Sequence, residues 1–204
     1  VSGPGVIGLE LGQALSRLGV KVTVIGRSDS VGGLSDPEIK QYAKQAFQNE
    51  FDLQLNATLE RVNEVVGGVE VTYRNESGEQ VTAVYEYVLA ATGRKPNISK
   101  LGLENTSLVL DQKGVPFYDE FTMQTDLGEQ LSHIFIAGDA NNDLPILHEA
   151  ADEGKIAGEN AALFPIVKVG KRRTPLSVVF TEPQITQIGL RFSELQSGYG
   201  QGYV

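Results

Sequence analysis

Six residues near the start of the chain, Gly3-Pro4-Gly5-Val6-Ile7-Gly8, have the types and spacing to hold a pyrophosphate. In G-x-G-x-x-G the first glycine turns tightly, the second lets a phosphate approach the backbone, and the third lets a helix pack closely on a strand. Free amides and the dipole at the helix start then favour the anion. A glycine turn is common, so the pattern carries weight only where a strand, a turn and a helix accompany it. Such a site usually places Asp or Glu about 20 residues further on, to accept from the adenosine 2′-hydroxyl. Here that position is Gly26, followed by Arg27 and Ser28. Without the carboxylate a 2′-phosphate meets no repulsion, and Arg27 can pair with it bidentately. This favours NADPH over NADH, against the plainer reading of Arg27 as a solvated residue at a strand end. A second candidate is Asp139, which follows Ile134-Phe135-Ile136-Ala137-Gly138. An apolar strand would deliver this carboxylate at its C-terminal end, where open parallel sheets bind ligands and where it can accept from sugar or ribityl hydroxyls. A helix starting near Pro145 would aim its positive end beyond it.

Composition excludes several other chemistries. The 204 residues contain no Cys, so disulfides, thiolate zinc sites and a cysteine nucleophile are ruled out within this chain. Two histidines, His133 and His148, are little material for an imidazole metal cage. With 17 basic against 26 acidic residues the net charge is −9, which argues against a nucleic-acid or anionic-membrane binder. The one basic cluster, Lys168 with Lys171, Arg172 and Arg173, reads as a solvated linker. No run of 18 or more apolar residues is present, so no membrane span is expected, and an acidic protein of cytoplasmic type is the expectation. Glycine is in excess at 23 residues, about 11% against a typical ~7%, with no low-complexity run to absorb it, so the glycines are expected at specific turns.

The elements that would position these residues follow from periodicity. Apolar residues from Val6 to Leu18 fit a helix that stops at Gly19, and Val20 to Ile25 is a short β-branched strand, so glycine turn, helix and strand form most of a βαβ unit. Ser35-Asp36-Pro37-Glu38 announces a second helix with Ile39, Tyr42, Ala43, Ala46 and Phe47 on one face. From Phe51 the period becomes two, and Val69 to Tyr73 and Val81 to Val84 flank the turn Asn75–Gly78 as a hairpin. Tyr87 to Ala91 reads as a buried strand stopping at Thr92-Gly93. A helix after Leu144 is expected to bury Ile146, Leu147, Ala150, Ala151, Gly154, Ala157, Ala161 and Leu163. Leu176 to Phe180 reads as a strand stopped by Glu182-Pro183, and Tyr199 to Val204 as a coreless tail. Val1 leaves no room for a strand before the glycine turn, so the chain reads as beginning and ending inside larger domains, with apolar faces left uncovered and poor stability or self-association expected.

Taken in order, Gly3-Pro4-Gly5-Val6-Ile7-Gly8-Leu9-Glu10, Ala90-Ala91-Thr92-Gly93-Arg94-Lys95-Pro96-Asn97, Ile134 to Asp139 and Val179-Phe180-Thr181-Glu182-Pro183 resemble the class I pyridine nucleotide-disulfide oxidoreductases, nearest to their dihydrolipoamide dehydrogenase branch. The resemblance implies an α/β fold: a Rossmann-like FAD/NAD(P)-binding domain with a β-hairpin insertion, plus the truncated start of an α+β dimerisation domain. The implied pieces are an NAD(P)-binding domain over 1–92, a returning FAD segment over 93–167 and a dimerisation segment over 168–204. By the same resemblance, Gly3, Pro4, Gly5, Val6, Ile7 and Gly8 hold the nicotinamide cofactor's pyrophosphate, Leu59 lies near its adenosine and Gly93 flanks it. Glu10 matches a carboxylate that pairs with a lysine near the flavin. Gly138 and Asp139 match the ribityl contact of FAD, and Pro145, Ile146, Leu147 and His148 match the turn and helix start facing the flavin. His133 has no counterpart and reads as structural.

Gly26-Arg27 departs from the acidic residue usual in dihydrolipoamide dehydrogenase and looks more like the NADPH-using mercuric and glutathione reductases. The family's redox cysteine pair and its acid/base His-Glu pair have no counterpart here. The expected function is therefore that of a fragment of an FAD-dependent NAD(P)H:disulfide oxidoreductase. Intact, it would be an enzyme acting on a small-molecule or lipoyl-type disulfide, working as a homodimer; this chain alone would be inactive. The alternatives are a flavin NAD(P)H oxidase or ferredoxin-type reductase, which the Val179 to Pro183 segment weighs against, and a non-catalytic dinucleotide-binding module.

Overall fold

In the computed structural model, residues 1–126 and 131–197 are described. The tail from Tyr199 to Val204 lies outside them. Chain compactness divides the protein into two units, one made of Val1–Gly93 with the chain from Leu176, the other of Arg94–Pro175.

The first unit is built around helix α1, Val6–Arg17. Its end has a specific chemical cause. Gly19, at φ +91°, donates to the Ser16 carbonyl at 2.9 Å while Val20 donates to Leu15 at 3.0 Å. This is the paired closure that a left-handed glycine permits. Strand β1, Thr23–Ile25, follows, and then α2, Pro37–Gln48, which Asp36 caps by accepting from the amides of Glu38 and Ile39 at 2.9 and 3.1 Å. Strand β2, Asp52–Gln54, pairs in parallel with β1. On the other side of β1 runs Val1 to Gly3, also parallel, with Ile25 N donating to Val1 O and Gly3 N to Ile25 O, each at 2.8 Å.

Beyond Val1 to Gly3 lies the segment expected to be a buried strand, Tyr87 to Ala91, and here the structure corrects the sequence. It contributes one bridge, Ala90 to Ser2, and Tyr87 is 87% exposed. Its pairing with Val1 to Gly3 is confined to Ser2, too little for a ladder, and its apolar composition misleads. Leu9, Val24, Val31, Phe47, Leu53 and Leu55 fill the core, joined by Val179 and Ile185 from the later chain.

Three antiparallel strands, β3 (Thr58–Val65), β4 (Gly68–Arg74) and β5 (Gln80–Tyr85), form a separate sheet. The β4–β5 hairpin is as predicted, its turn closed by Gly78 donating to Asn75 at 2.9 Å. Strands β8, Leu176–Val179, and β9, Ile185–Ile188, pair antiparallel, and the short helix α4, Phe192–Gln196, follows.

The second unit holds strands β6 (Gln124–Asp126) and β7 (Leu131–Phe135), a 3-10 turn over Gly138–Asn141, and helix α3, Leu147–Leu163. The strand expected over Ile134 to Ala137, in a parallel sheet, is found instead as β7, which ends at Phe135 and among the described residues pairs antiparallel with β6. The buried face of α3 is a larger correction. Glu149, Glu153, Ile156 and Asn160 are buried, whereas Leu147 is 87% exposed and Leu163 half exposed. The helix turns its polar side inward because that side finds partners. Asn160 is bonded to the backbone of Lys168 and to Thr122 O, and Arg172 meets both glutamates. Within the basic cluster Arg172 and Arg173 are accordingly paired, whereas Lys168 and Lys171 are exposed, as in a solvated linker. Arg172 is only 17% exposed at its side chain, and Arg173 grips Asp152 at 2.7 Å. Among the described residues no helix is long and apolar enough to cross a membrane.

Candidate functional site

The three glycines of the first loop stand in three different surroundings. Gly3 sits at φ +106°, and a Cβ on it would strike the Ala91 carbonyl. A Cβ on Gly8 would strike the Gly3 carbonyl and come within 3.3 Å of the Ala91 side chain, so α1 can begin this close to the sheet only without one. Gly5, by contrast, has nothing within 4 Å of where its Cβ would stand. It lies on open space at the N-cap of α1, which carries no side-chain cap and no acidic residue in its first turn. The unused amides at this end, with the helix dipole, favour an anion.

Pro4 links this loop to the end of β1. A Cβ on Gly26 would come within 2.5 Å of Pro4 Cγ and 3.1 Å of Leu55 Cδ2, so the glycine where a ribose-binding carboxylate is usual is also sterically enforced. Gly32 N donates to Pro4 O at 2.9 Å, folding the following loop back over the glycine turn. Arg27 and Ser28 are exposed, and among the described residues Arg27 enters no hydrogen bond or ion pair. Lys40 is held by Asp29 at 2.6 Å. Gly93, at φ +106° with open space around it, follows the Ala91 segment that backs the glycine loop. Val6 and Ile7 are more than 40% exposed, and Leu59, on β3, is 38% exposed beside a bulge.

Glu10 has a partner that the sequence did not suggest. Its Oε1 accepts from Phe180 N at 2.9 Å. One turn on, Gln13 is buried and bonds both ways to Glu182, donating to its carbonyl and accepting from its amide, each at 2.7 Å. Gln13 also donates to Glu50 Oε1 at 2.8 Å, and Arg17 clamps the same carboxylate with two bonds of 2.8 Å. The Arg17 bond holds the Glu50 carboxyl below the usual range. Gln13 reads in the sequence only as a polar residue on a helix, so nothing marked it.

In the second unit Asp139 occupies the 3-10 turn, half exposed, with Arg94 Nη2 3.1 Å from its Oδ2. Gly138, at φ +65°, packs where a Cβ would come within 2.9 Å of Ala150 Cβ. The turn is thereby pressed onto α3, and Glu153 Oε2 accepts from both Gly138 N and Asn141 Nδ2 at 2.7 Å. Arg172 Nη2 lies 2.9 Å from Glu149 and 3.1 Å from Glu153. Burial raises the Glu153 carboxyl above the usual range despite these partners. His148, one-third exposed, has a buried Nε2 without a hydrogen bond, 3.9 Å from Glu149. Pro145 and Leu147 are exposed and Ile146 half-buried. His133 makes an edge contact with Phe164. No group of three or more His, Asp or Glu among the described residues is placed to hold a metal ion.

A glycine turn between parallel extended segments, opening directly into a helix, places the first unit in the Rossmann-like class of α/β dinucleotide-binding folds. The chain belongs to the pyridine nucleotide-disulphide oxidoreductase family, whose model matches residues 1–154. It is 34% identical over 200 residues to a dihydrolipoyl dehydrogenase of Staphylococcus aureus, covering 97% of this chain and 40% of that protein. It is 34% identical over 191 residues to a mercuric reductase of Bacillus cereus, covering 93% of this chain and 29% of that protein. Among solved structures, LpdA of Mycobacterium tuberculosis superposes with a TM-score of 0.77 at 31% identity, over 97% of this chain and 41% of LpdA. The flavoprotein disulfide reductase RclA of Escherichia coli, at 22% identity and a TM-score of 0.77, shares the fold. The chain thus spans about 40% of the length of the dihydrolipoyl dehydrogenases it matches.

Proposed function

We propose that this chain is the cofactor-holding portion of a longer FAD-dependent NAD(P)H:disulfide oxidoreductase of the dihydrolipoamide dehydrogenase kind. The observation that carries this reading is the division of labour among Gly3, Gly5 and Gly8. Two are closed by backbone, and the middle one is open at an uncapped helix start. A pyrophosphate fits such an opening. Val6, Ile7 and Gly8 would offer amides there, with Gly93 and Leu59 flanking the nucleotide. Arg27, unpaired beside a Gly26 that Pro4 keeps free of any side chain, supports NADPH over NADH.

On the second unit, Asp139 supplies an acceptor for a ribityl hydroxyl, and the segment from Pro145 to His148 would face the flavin. Flavin, when bound, supplies the relay between a nicotinamide hydride and a disulfide. This chain's residues bind and orient. With no Cys in the sequence, the dithiol chemistry falls to residues outside it. The reading extends to a small-molecule or lipoyl-type disulfide as substrate, a homodimer and a cytoplasmic setting. As it stands, the Cys-free chain is a dinucleotide-binding module.

The test is nucleotide titration of the chain at two salt concentrations. NADPH should bind more tightly than NADH, with the difference shrinking at high salt and abolished in Arg27→Ala. Equal affinities would overturn the NADPH assignment, and no binding of either would overturn the dinucleotide site.

A further inference from the structure

Helix α3 buries two carboxylates where its sequence offers apolar alternatives, and Glu153 is the more informative of the two. It is 1% exposed, and one of its oxygens, Oε2, holds both the first and last residues of the Gly138–Asn141 turn, through Gly138 N and Asn141 Nδ2, each at 2.7 Å. Asp139 lies between those two anchored residues, and among the described residues its side chain has only the exposed contact with Arg94.

We propose that Glu153 is a positioning residue for FAD: its buried carboxylate fixes both ends of the turn that presents Asp139, while Arg172 supplies the opposing charge. This rests on the reading of Asp139 as a flavin contact. A buried ion pair is a poor device for stability alone, since well-packed apolar residues in its place are often neutral or better. Here one oxygen is bonded to two donors of a single turn, which specifies a geometry that packing would leave loose. Arg172 meets Glu153 at 3.1 Å and Glu149 at 2.9 Å, so one guanidinium serves two carboxylates. Replacing Glu153 by Gln still provides an oxygen for Gly138 and Asn141, while its amide nitrogen faces Arg172, whose charge Glu149 then balances. Asp keeps the charge but withdraws its oxygens by one methylene.

The experiment measures FAD affinity in the full-length protein and amide exchange at Gly138 in the chain itself. Glu153→Ala and Glu153→Asp should each weaken FAD by about tenfold or more and speed Gly138 exchange, as expected when anchoring hydrogen bonds are lost. Glu153→Gln should stay within about threefold of wild type in both, a rescue that follows geometry rather than charge. Glu159→Gln, on the exposed side of the same helix, should change neither. If Glu153→Ala does not fold, the order of Asp against Gln decides, and Asp binding as well as Gln overturns the proposal. Wild-type FAD affinity and Gly138 protection in Glu153→Ala and Glu153→Asp would overturn it while leaving the flavin reading intact. A full-length wild type that binds no FAD would overturn the flavin reading and this inference with it.

Discussion

Arg94 reaches across the second unit to place its Nη2 3.1 Å from Asp139 Oδ2, joining two motifs that lie 45 positions apart in the sequence. Both side chains are about half exposed or more, so the pair is worth at most about 1 kcal/mol. A ribityl hydroxyl that bonds to Asp139 meets a carboxylate already oriented by an arginine. In the full-length protein, Asp139→Ala should therefore lose its yellow flavin during purification, while Arg94→Ala keeps both flavin and stability within about 1 kcal/mol of wild type. Flavin absorbance per protein after gel filtration reads the first, denaturant midpoints the second. Full retention of flavin by Asp139→Ala would remove that residue from the site.

The glycine loop separates folding from binding. Alanine at Gly8 meets the Gly3 carbonyl and Ala91, and alanine at Gly3 adds a strained positive φ, so each should cost about 1–3 kcal/mol of stability. Alanine at Gly5, with φ −78° and open space, should leave stability nearly unchanged and weaken nucleotide binding, because its methyl stands where the phosphate would approach. Thermal midpoints alongside nucleotide titrations distinguish the three. A stable Gly5→Ala with unaltered affinity would rule out that approach.

Much of the first unit could be read from local chemistry. Gly19 closes α1, Asp36 caps α2, and Asn75 to Gly78 turns the β4–β5 hairpin, because each of these signals acts within a few residues. The motif glycines 3, 5 and 8 were likewise visible by spacing, although the Ala91 segment that closes on Gly3 and Gly8 lies far along the chain and could not be read from it. What could not be read depended on distant partners. The face that α3 buries is decided by Arg172 and by Gly138 and Asn141, so counting apolar residues along the helix picked the wrong side. Tyr87 to Ala91 looks like a core strand by composition, yet burial depends on neighbours that periodicity cannot report. Strand β3 went unread because nearly all of its residues are exposed, leaving no alternation to detect.

In the second unit one arginine, Arg172, serves two buried carboxylates. Removing it leaves Glu149 and Glu153, each 1% exposed, without their shared cation. Arg172→Met should cost about 3–5 kcal/mol, the usual penalty for an orphaned buried charge. Adding Glu149→Gln and Glu153→Gln to the same variant should recover most of that loss, since the charge to be balanced is gone. Urea unfolding of the single and triple variants measures both terms. A loss below about 1 kcal/mol for Arg172→Met would mean that Arg172 is not what balances the two carboxylates.

Two carboxylates should respond to pH in opposite directions. The Arg17 hydrogen bond holds Glu50 below its ordinary value. Its contribution to stability is therefore present above that value and disappears as pH falls through the lowered one. Burial holds Glu153 above its ordinary value. Its contribution is complete at pH values below the ordinary one and is lost as pH rises through the raised value, where folding must bury the charge. Glu50→Gln should consequently be weaker than wild type at neutral pH and converge with it in acid. Glu153→Gln should match wild type in acid and gain on it as pH rises towards neutrality. Denaturant midpoints at intervals from about pH 3 to about pH 8 follow both titrations. Curves that run parallel to wild type across that window would show that neither carboxylate has the shifted affinity for protons assigned to it.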